Sequence, residues 1–197
     1  MNTTTAPLFP TREEWLLAAI DEVRPLFDAV GHKLTDKIRV TCGFPSTASR
    51  SGAVGQCFAS AASADQHYEV MVSPVLDDPR EVMQVLLHEL VHTLPGCMNH
   101  GITFQTAASA VFLAPGSSKG WKATVHAPGF DAAYQSIIDG LGTYPHAHLK
   151  MGQAKKQTTR LLKAVCPCCG YTIRLTKVWA DKGLPVCSLD NTPMVLA

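Results

Sequence analysis

Apolar positions along the chain recur at helical spacing in four stretches and alternate in several shorter ones. Leu16, Ile20, Val23, Phe27 and Val30 form the first stripe. Thr11 and Glu14 precede it with the spacing of a capping box, so a helix is expected from Thr11 to about Val30, stopped by Gly31. Pro25 lies inside this pattern, where it lacks an N–H and crowds the preceding turn, so a kink or split is expected there. Ile38, Val40 and Cys42 alternate and read as a strand ended by Gly43 and Pro45. Residues 46–53 read as a loop with Arg50 exposed, 54–59 as a weaker strand and 61–66 as a small-residue connection. Residues 67–73 (HYEVMVS) form the clearest strand and lead through Pro74-Val75-Leu76 into a second helical stretch.

That stretch carries Met83, Leu86/Leu87, Leu90 and Leu94 on one face. Asp78 suits the N-cap, Pro79 the first helical position and Glu81 the return half of a capping box, while Pro95-Gly96 forms the stop. Phe104, Ala107/Ala108, Val111 and Phe112 give a further helical stripe, whose alanines allow close approach to the previous helix. Residues 115–120 read as a loop, 121–127 as a strand and 130–141 as a last helix ended by Gly142. Helix, three short strands with hairpin-length connections, then helices indicate an α+β fold with a short antiparallel sheet. Residues 143–157 are polar and aperiodic, which places a domain boundary there. The expected organisation is a domain over 1–145, a linker over 146–160 and a small module over 161–197. No internal repeat is visible.

Composition narrows the class. With 197 residues and 46% hydrophobic content, the chain has enough for one globular core and a small appendage. No apolar run is long enough for a membrane span, and the N-terminal residues have neither a basic region nor an apolar one, so no signal peptide is read and a cytoplasmic location is expected. Seven cysteines, three of them within 166–169, suit metal ligation in a reducing compartment better than disulfides. Charge is segregated: residues 150–197 carry eight Lys/Arg against two Asp, a net of +6, leaving −5 for residues 1–149. A basic tail on an acidic body points to an anionic partner, nucleic acid first, although a solvated segment has the same composition.

The chemistry lies in the second helix. His88-Glu89-Leu90-Val91-His92 matches H-E-x-x-H. Residues four apart lie on one helical face, so His88 and His92 can both reach one zinc ion. Glu89, beside them, is suited to take a proton from a water that the metal activates. His100 is the obvious third ligand, and three protein ligands leave the open position that distinguishes a catalytic zinc from a structural one. Cys97 is read as a buried small hydrophobe, the alternative being a fourth thiolate. Cys42 and Cys57 fall in strand patterns and read as core residues. A donor for the tetrahedral oxyanion is also expected; His126, Tyr134 and Tyr144 are chemically able, and the sequence does not select among them.

The small module has its own ligand pattern. Cys166-Pro-Cys-Cys169-Gly170 is a C-x2-C knuckle, Tyr171-Thr-Ile-Arg-Leu-Thr has strand character, and Cys187 lies at a zinc-ribbon distance. The second knuckle reads Cys187-Ser-Leu-Asp190. Asp190 as fourth ligand, Cys168 in its place, and a metal-free module are the three alternatives. A module of this size buries little surface, so a bound zinc would supply much of its folding energy. Lys163, Arg174, Lys177, Trp179 and Lys182 could contact phosphates and stack on a base. For Trp179 the competing expectation is packing beneath the ribbon.

Taken together, HELVH at 88–92, HGITF at 100–104 and the terminal CPCCGYTIR…KVW…KGLPVC block resemble the SprT-like zinc metalloprotease family, particularly its short phage and actinobacterial forms. VTCGFP and VSPVLDDP are also similar, so the resemblance runs from about residue 38 onward. It implies a gluzincin-like zinc peptidase domain followed by a zinc ribbon, with eukaryotic members cleaving proteins crosslinked to DNA. It further implies His88, His92 and His100 as ligands of a catalytic zinc, Glu89 as general base, and Cys166, Cys169 and Cys187 around a second zinc. Asp190 stands where relatives place Cys or His. The expected function is zinc-dependent endopeptidase activity on DNA-associated proteins, in the host cytoplasm if phage-encoded. The rival from another class is a non-catalytic zinc-containing DNA-binding or transcription-related adaptor.

Overall fold

The computed structural model describes residues 8–150 and 161–197. The chain divides into two compact units, Met1–Gly152 and Gln153–Ala197. The first contains helices α1 (Arg12–Ala29), α2 (Ala48–Ser51), α3 (Pro79–Val91), α4 (Ile102–Ala110) and α5 (Phe130–Leu141), with strands β1 (Ile38–Cys42), β2 (Gly55–Phe58), β3 (Tyr68–Val72), β4 (Leu113–Gly116) and β5 (Gly120–His126). The class is α+β, as expected.

Thr11 caps α1, and both halves of the Thr11–Glu14 box are present. Pro25 does not split the helix. It withholds one N–H, while Trp15, Leu16, Ala19, Ile20, Val23 and Phe27 hold the turns on both sides of it in a single buried face. Asp78 caps α3 by accepting from the Arg80 and Glu81 N–H groups. The expected return bond from Glu81 is not among the bonds of the described residues. α3 also ends earlier than Pro95-Gly96: the Thr93 hydroxyl donates to the Leu90 carbonyl at 2.7 Å, and the chain leaves the helix through His92, whose backbone is still helical.

The three-stranded sheet differs from the expected antiparallel one. Its order is β1-β3-β2, with β1 parallel to β3 and β2 antiparallel to it. Residues 43–54, which include the single turn α2, carry the chain from one edge to the other, so β3 inserts between the earlier strands instead of extending a meander. Val40, Val70 and Val72 face the core, against which α1 and α3 pack. β4 and β5 pair as a second, antiparallel sheet. β4 falls within a stretch that reads as helix end and loop. Phe112 closes α4 in the left-handed region at φ 60° and turns outward, so it leaves the stripe to which its spacing assigns it, and Leu113 begins the strand.

Residues 143–149 belong to the first unit, past the boundary expected at 145. The buried Arg12 guanidinium donates to the carbonyls of Pro74 (3.2 Å), Pro145 (2.9 Å) and Ala147 (2.9 Å). Trp15 donates to the Gly142 carbonyl, and Tyr144 packs edge-on against its ring. Most of the expected linker (151–160), with Lys155, Lys156 and Arg160, lies outside the described residues. The second unit is a sheet of order β7-β6-β8, formed by β6 (Leu162–Val165), β7 (Thr172–Leu175) and β8 (Val195–Leu196), plus one turn of helix, α6 (Lys177–Ala180). Its core is small: Ala164, Cys166, Cys187 and Met194.

Candidate metal centres

The helical repeat places His88 and His92 one turn apart at the end of α3, and the turn after it returns His100 to the same point. One ring nitrogen from each of the three lies within 4.8 Å of the others. The Nε2 atoms of His88 and His100 are 3.2 Å apart. Zinc–nitrogen bonds of 2.0–2.1 Å in a tetrahedron would separate ligand atoms by about 3.3 Å, so the spacing fits a zinc ion. Two of the rings are held from behind. His92 Nδ1 donates to the Cys97 carbonyl at 2.7 Å, and His88 Nδ1 lies 3.1 Å from Thr124 Oγ1 on β5. These bonds leave Nε2 free to point inward, the usual arrangement behind metal-binding histidines. The His100 carbonyl accepts from Gln105, and the Gly101 N–H donates to Asn99, which fixes the returning loop.

Phe104 lies beneath all three rings, fully buried, with centroid distances of 4.6–4.9 Å. Burial lowers the His88 pKa to about 3, with His92 and His100 contributing, and that of His92 to about 4. Burial, then the positive field of Lys122, lowers that of His100. The three rings are therefore neutral at pH 7, as metal ligation requires. Glu89 is 4% exposed, and burial raises its carboxyl to about 8.

His88, Glu89 and His100 line a cleft of about 580 Å³. Residues 51–55 form one wall, and β5 with the preceding turn forms the other. Gly55 touches the carboxyl directly: a Cβ there would run into Glu89 Oε1 and come within 2.7 Å of Val85 Cγ1. A glycine within a strand pattern signals such close approach. Thr124, Lys119 and Lys122 reach the cleft from β5 and its turn, and no local spacing connects them with the histidines.

The three candidate oxyanion donors lie away from the cleft. Tyr134 donates to the Val111 carbonyl, His126 binds Arg80 and stacks on Phe130, and Tyr144 lies against Trp15. None lines the cleft. The Cys97 thiol is buried and outside the histidine group; its backbone carbonyl is what serves the site, by orienting His92. Cys42 and Cys57 are half-buried.

In the second unit, Cys166, Cys169, Cys187 and Asp190 each place one ligand atom within 4.8 Å of the others. Cys166 Sγ is 3.3 Å from Asp190 Oδ2, and Cys169 Sγ is 3.5 Å from Cys187 Sγ. Tetrahedral zinc thiolates with 2.3 Å bonds would be about 3.8 Å apart, so this donor set is also compatible with zinc. Asp190 is the fourth member of the group, and Cys168 is exposed. Hydrogen bonds, first from the Cys169 thiol and then from the Thr192 N–H, hold the Asp190 carboxyl well below the usual carboxylate range.

The described basic residues of this unit, Lys163, Arg174, Lys177 and Lys182, are all exposed. Lys163 and Arg174 are register partners on β6 and β7, and so share one face. Trp179 is 61% exposed, not packed beneath the ribbon, and Lys182 Nζ sits 4.8 Å from its ring centre. Lys177 is paired with Asp181 at 2.9 Å. No helix among the described residues is long and apolar enough to cross a membrane. Comparison with family models, curated proteins and solved structures gives no match for this chain.

Proposed function

We propose that the chain is a zinc-dependent endopeptidase of SprT-like type acting on DNA-associated proteins. The observation that carries this reading is the convergence of three neutral imidazoles, two of them anchored from behind, beside a buried carboxyl, with His88, His100 and Glu89 lining one cleft. Zinc would be held by His88, His92 and His100, and when bound would polarise a peptide carbonyl and make a water acidic enough to attack it near neutral pH.

The chain's own residues supply the rest. The Cys97 carbonyl and Thr124 orient His92 and His88 so that each presents its Nε2. Glu89, one residue along the helix from His88, accepts the proton of the attacking water and returns it to the leaving amine. A base with a pKa near the working pH suits both transfers. Phe104 and Val85 keep the floor apolar, which strengthens electrostatic interactions above it. In the second unit, three thiolates and Asp190 are proposed to hold a structural zinc. Lys163 and Arg174 would meet phosphates there, while Trp179 would stack on a base.

Glu89→Gln tests the catalytic half. The variant should retain zinc and lose at least about a hundredfold in cleavage of an unfolded protein substrate, since removal of a general base costs 10²–10⁴-fold. Turnover within a few-fold of wild type would remove Glu89 from this role. If neither protein cleaves anything while the full chain binds DNA, the adaptor reading takes over.

A further inference from the structure

The cleft has a charge pattern that its metal ligands do not explain. Among the described residues that line it, the ionisable side chains apart from the histidines and Glu89 are Lys119 and Lys122. Both are exposed, and neither has a carboxylate partner among the described residues. Their positions follow from the strand. Lys122 lines the cleft from the same strand as Thr124, the residue whose hydroxyl meets His88. Lys122 is also close enough for its charge to act on His100. Lys119 reaches across the mouth, its Nζ donating to the Ser51 carbonyl on the opposite wall at 2.7 Å. Two cations without a carboxylate partner among the described residues thus flank the approach to the ligands, and the other described lining residues besides the histidines and Glu89 carry no ionisable group.

We propose that Lys119 and Lys122 are specificity-determining residues that select acidic peptide segments, binding Asp or Glu side chains next to the bond to be cut. The proposal rests on the peptidase reading and deepens it by naming the substrate class. A substrate carboxylate would gain a partner from Lys122 on the β5 wall and, nearer the mouth, from Lys119. A lysine or arginine side chain in the same place would face like charge. Cleavage would then fall in acidic stretches of DNA-associated proteins, away from their basic DNA-binding surfaces.

The test uses the full zinc-loaded chain and three quenched peptides that share one central sequence and carry Glu, Ala or Lys at the flanking positions. The same peptides, labelled, are titrated against the Glu89→Gln protein to read binding without turnover. Wild type should favour the Glu peptide over the Lys peptide by roughly tenfold in both kcat/KM and affinity, since each exposed charge pair contributes a few-fold. The preference should shrink as salt is raised. Lys122→Glu should abolish or reverse it, Lys122→Arg should keep it, and Lys37→Glu, a distant change of equal charge, should leave it intact.

Equal cleavage of all three peptides would overturn the proposal and leave the peptidase reading standing. If no peptide is cleaved, binding decides: a Glu preference lost in Lys122→Glu upholds the acidic-segment site even as the peptidase reading fails, and indifferent binding overturns it. Loss of DNA binding in Lys122→Glu with peptide preference unchanged would assign the lysines to phosphate instead, and would also overturn it.

Discussion

Glu89 is the most consequential single residue, and its environment makes it a liability when no metal is present. Its carboxyl is buried with a pKa near 8, so the folded protein holds a proton that the unfolded chain, with an ordinary value of 4.5, has released. A pKa raised on folding contributes stability that is full below 4.5 and is lost as pH rises toward 8. His88 and His92 act in the opposite sense: their values fall on folding from 6.5 to about 3 and 4, so stability is lost as pH falls below 6.5. Chelator-treated wild type should therefore melt highest near pH 6.5 and less high on either side. Glu89→Gln should remove the alkaline decline alone, stabilising the metal-free protein at pH 7 by up to about 3 kcal/mol. Thermal melts of both proteins across pH 4–9 check this, and a Glu89→Gln curve parallel to wild type above pH 6.5 would contradict it.

At the scale of elements, the site depends on a helix and a strand meeting at one glycine. Gly55 of β2 lies against Glu89 and Val85 of α3 with no room for a methyl group. Gly55→Ala should displace the carboxyl while leaving the three histidines in place. The expected result is retained zinc with kcat reduced by about ten- to a hundredfold and little change in KM, because small misplacements of a catalytic group cost rate more than binding. Steady-state kinetics beside a zinc assay would separate this from general misfolding.

What the sequence could and could not convey also divides by element. The α3 histidines are legible because a helix turns four-residue spacing into proximity, and the capped ends of α1 and α3 are local chemistry. Strand order is not local. The parallel pairing of β1 with β3 depends on where residues 43–54 run, and β4 is hidden because Pro115 and Gly116 read as a loop. Thr124, Lys119 and Lys122 reach the cleft only through long-range packing of β5 on α3, tied by the Gln84 side chain donating to the Thr124 carbonyl. The same distance in sequence made His126, Tyr134 and Tyr144 look equally available as oxyanion donors, whereas packing holds all three away from the cleft.

On the scale of the whole molecule, two units each bring a metal-type ligand set together, and the two sets differ in kind. Three histidines beside a buried carboxyl and an open cleft have the form of a reactive site. Three thiols and Asp190, two of the thiols lying in the small described core beside Ala164 and Met194, have the form of a structural one. Elemental analysis of zinc per chain in wild type, His100→Ala and Cys187→Ala tests this division most directly. The account predicts two zinc ions in wild type and one in each variant, with cleavage lost in His100→Ala. A single zinc in wild type that survives His100→Ala and disappears in Cys187→Ala would contradict it, leaving a zinc-containing binding module in place of a peptidase.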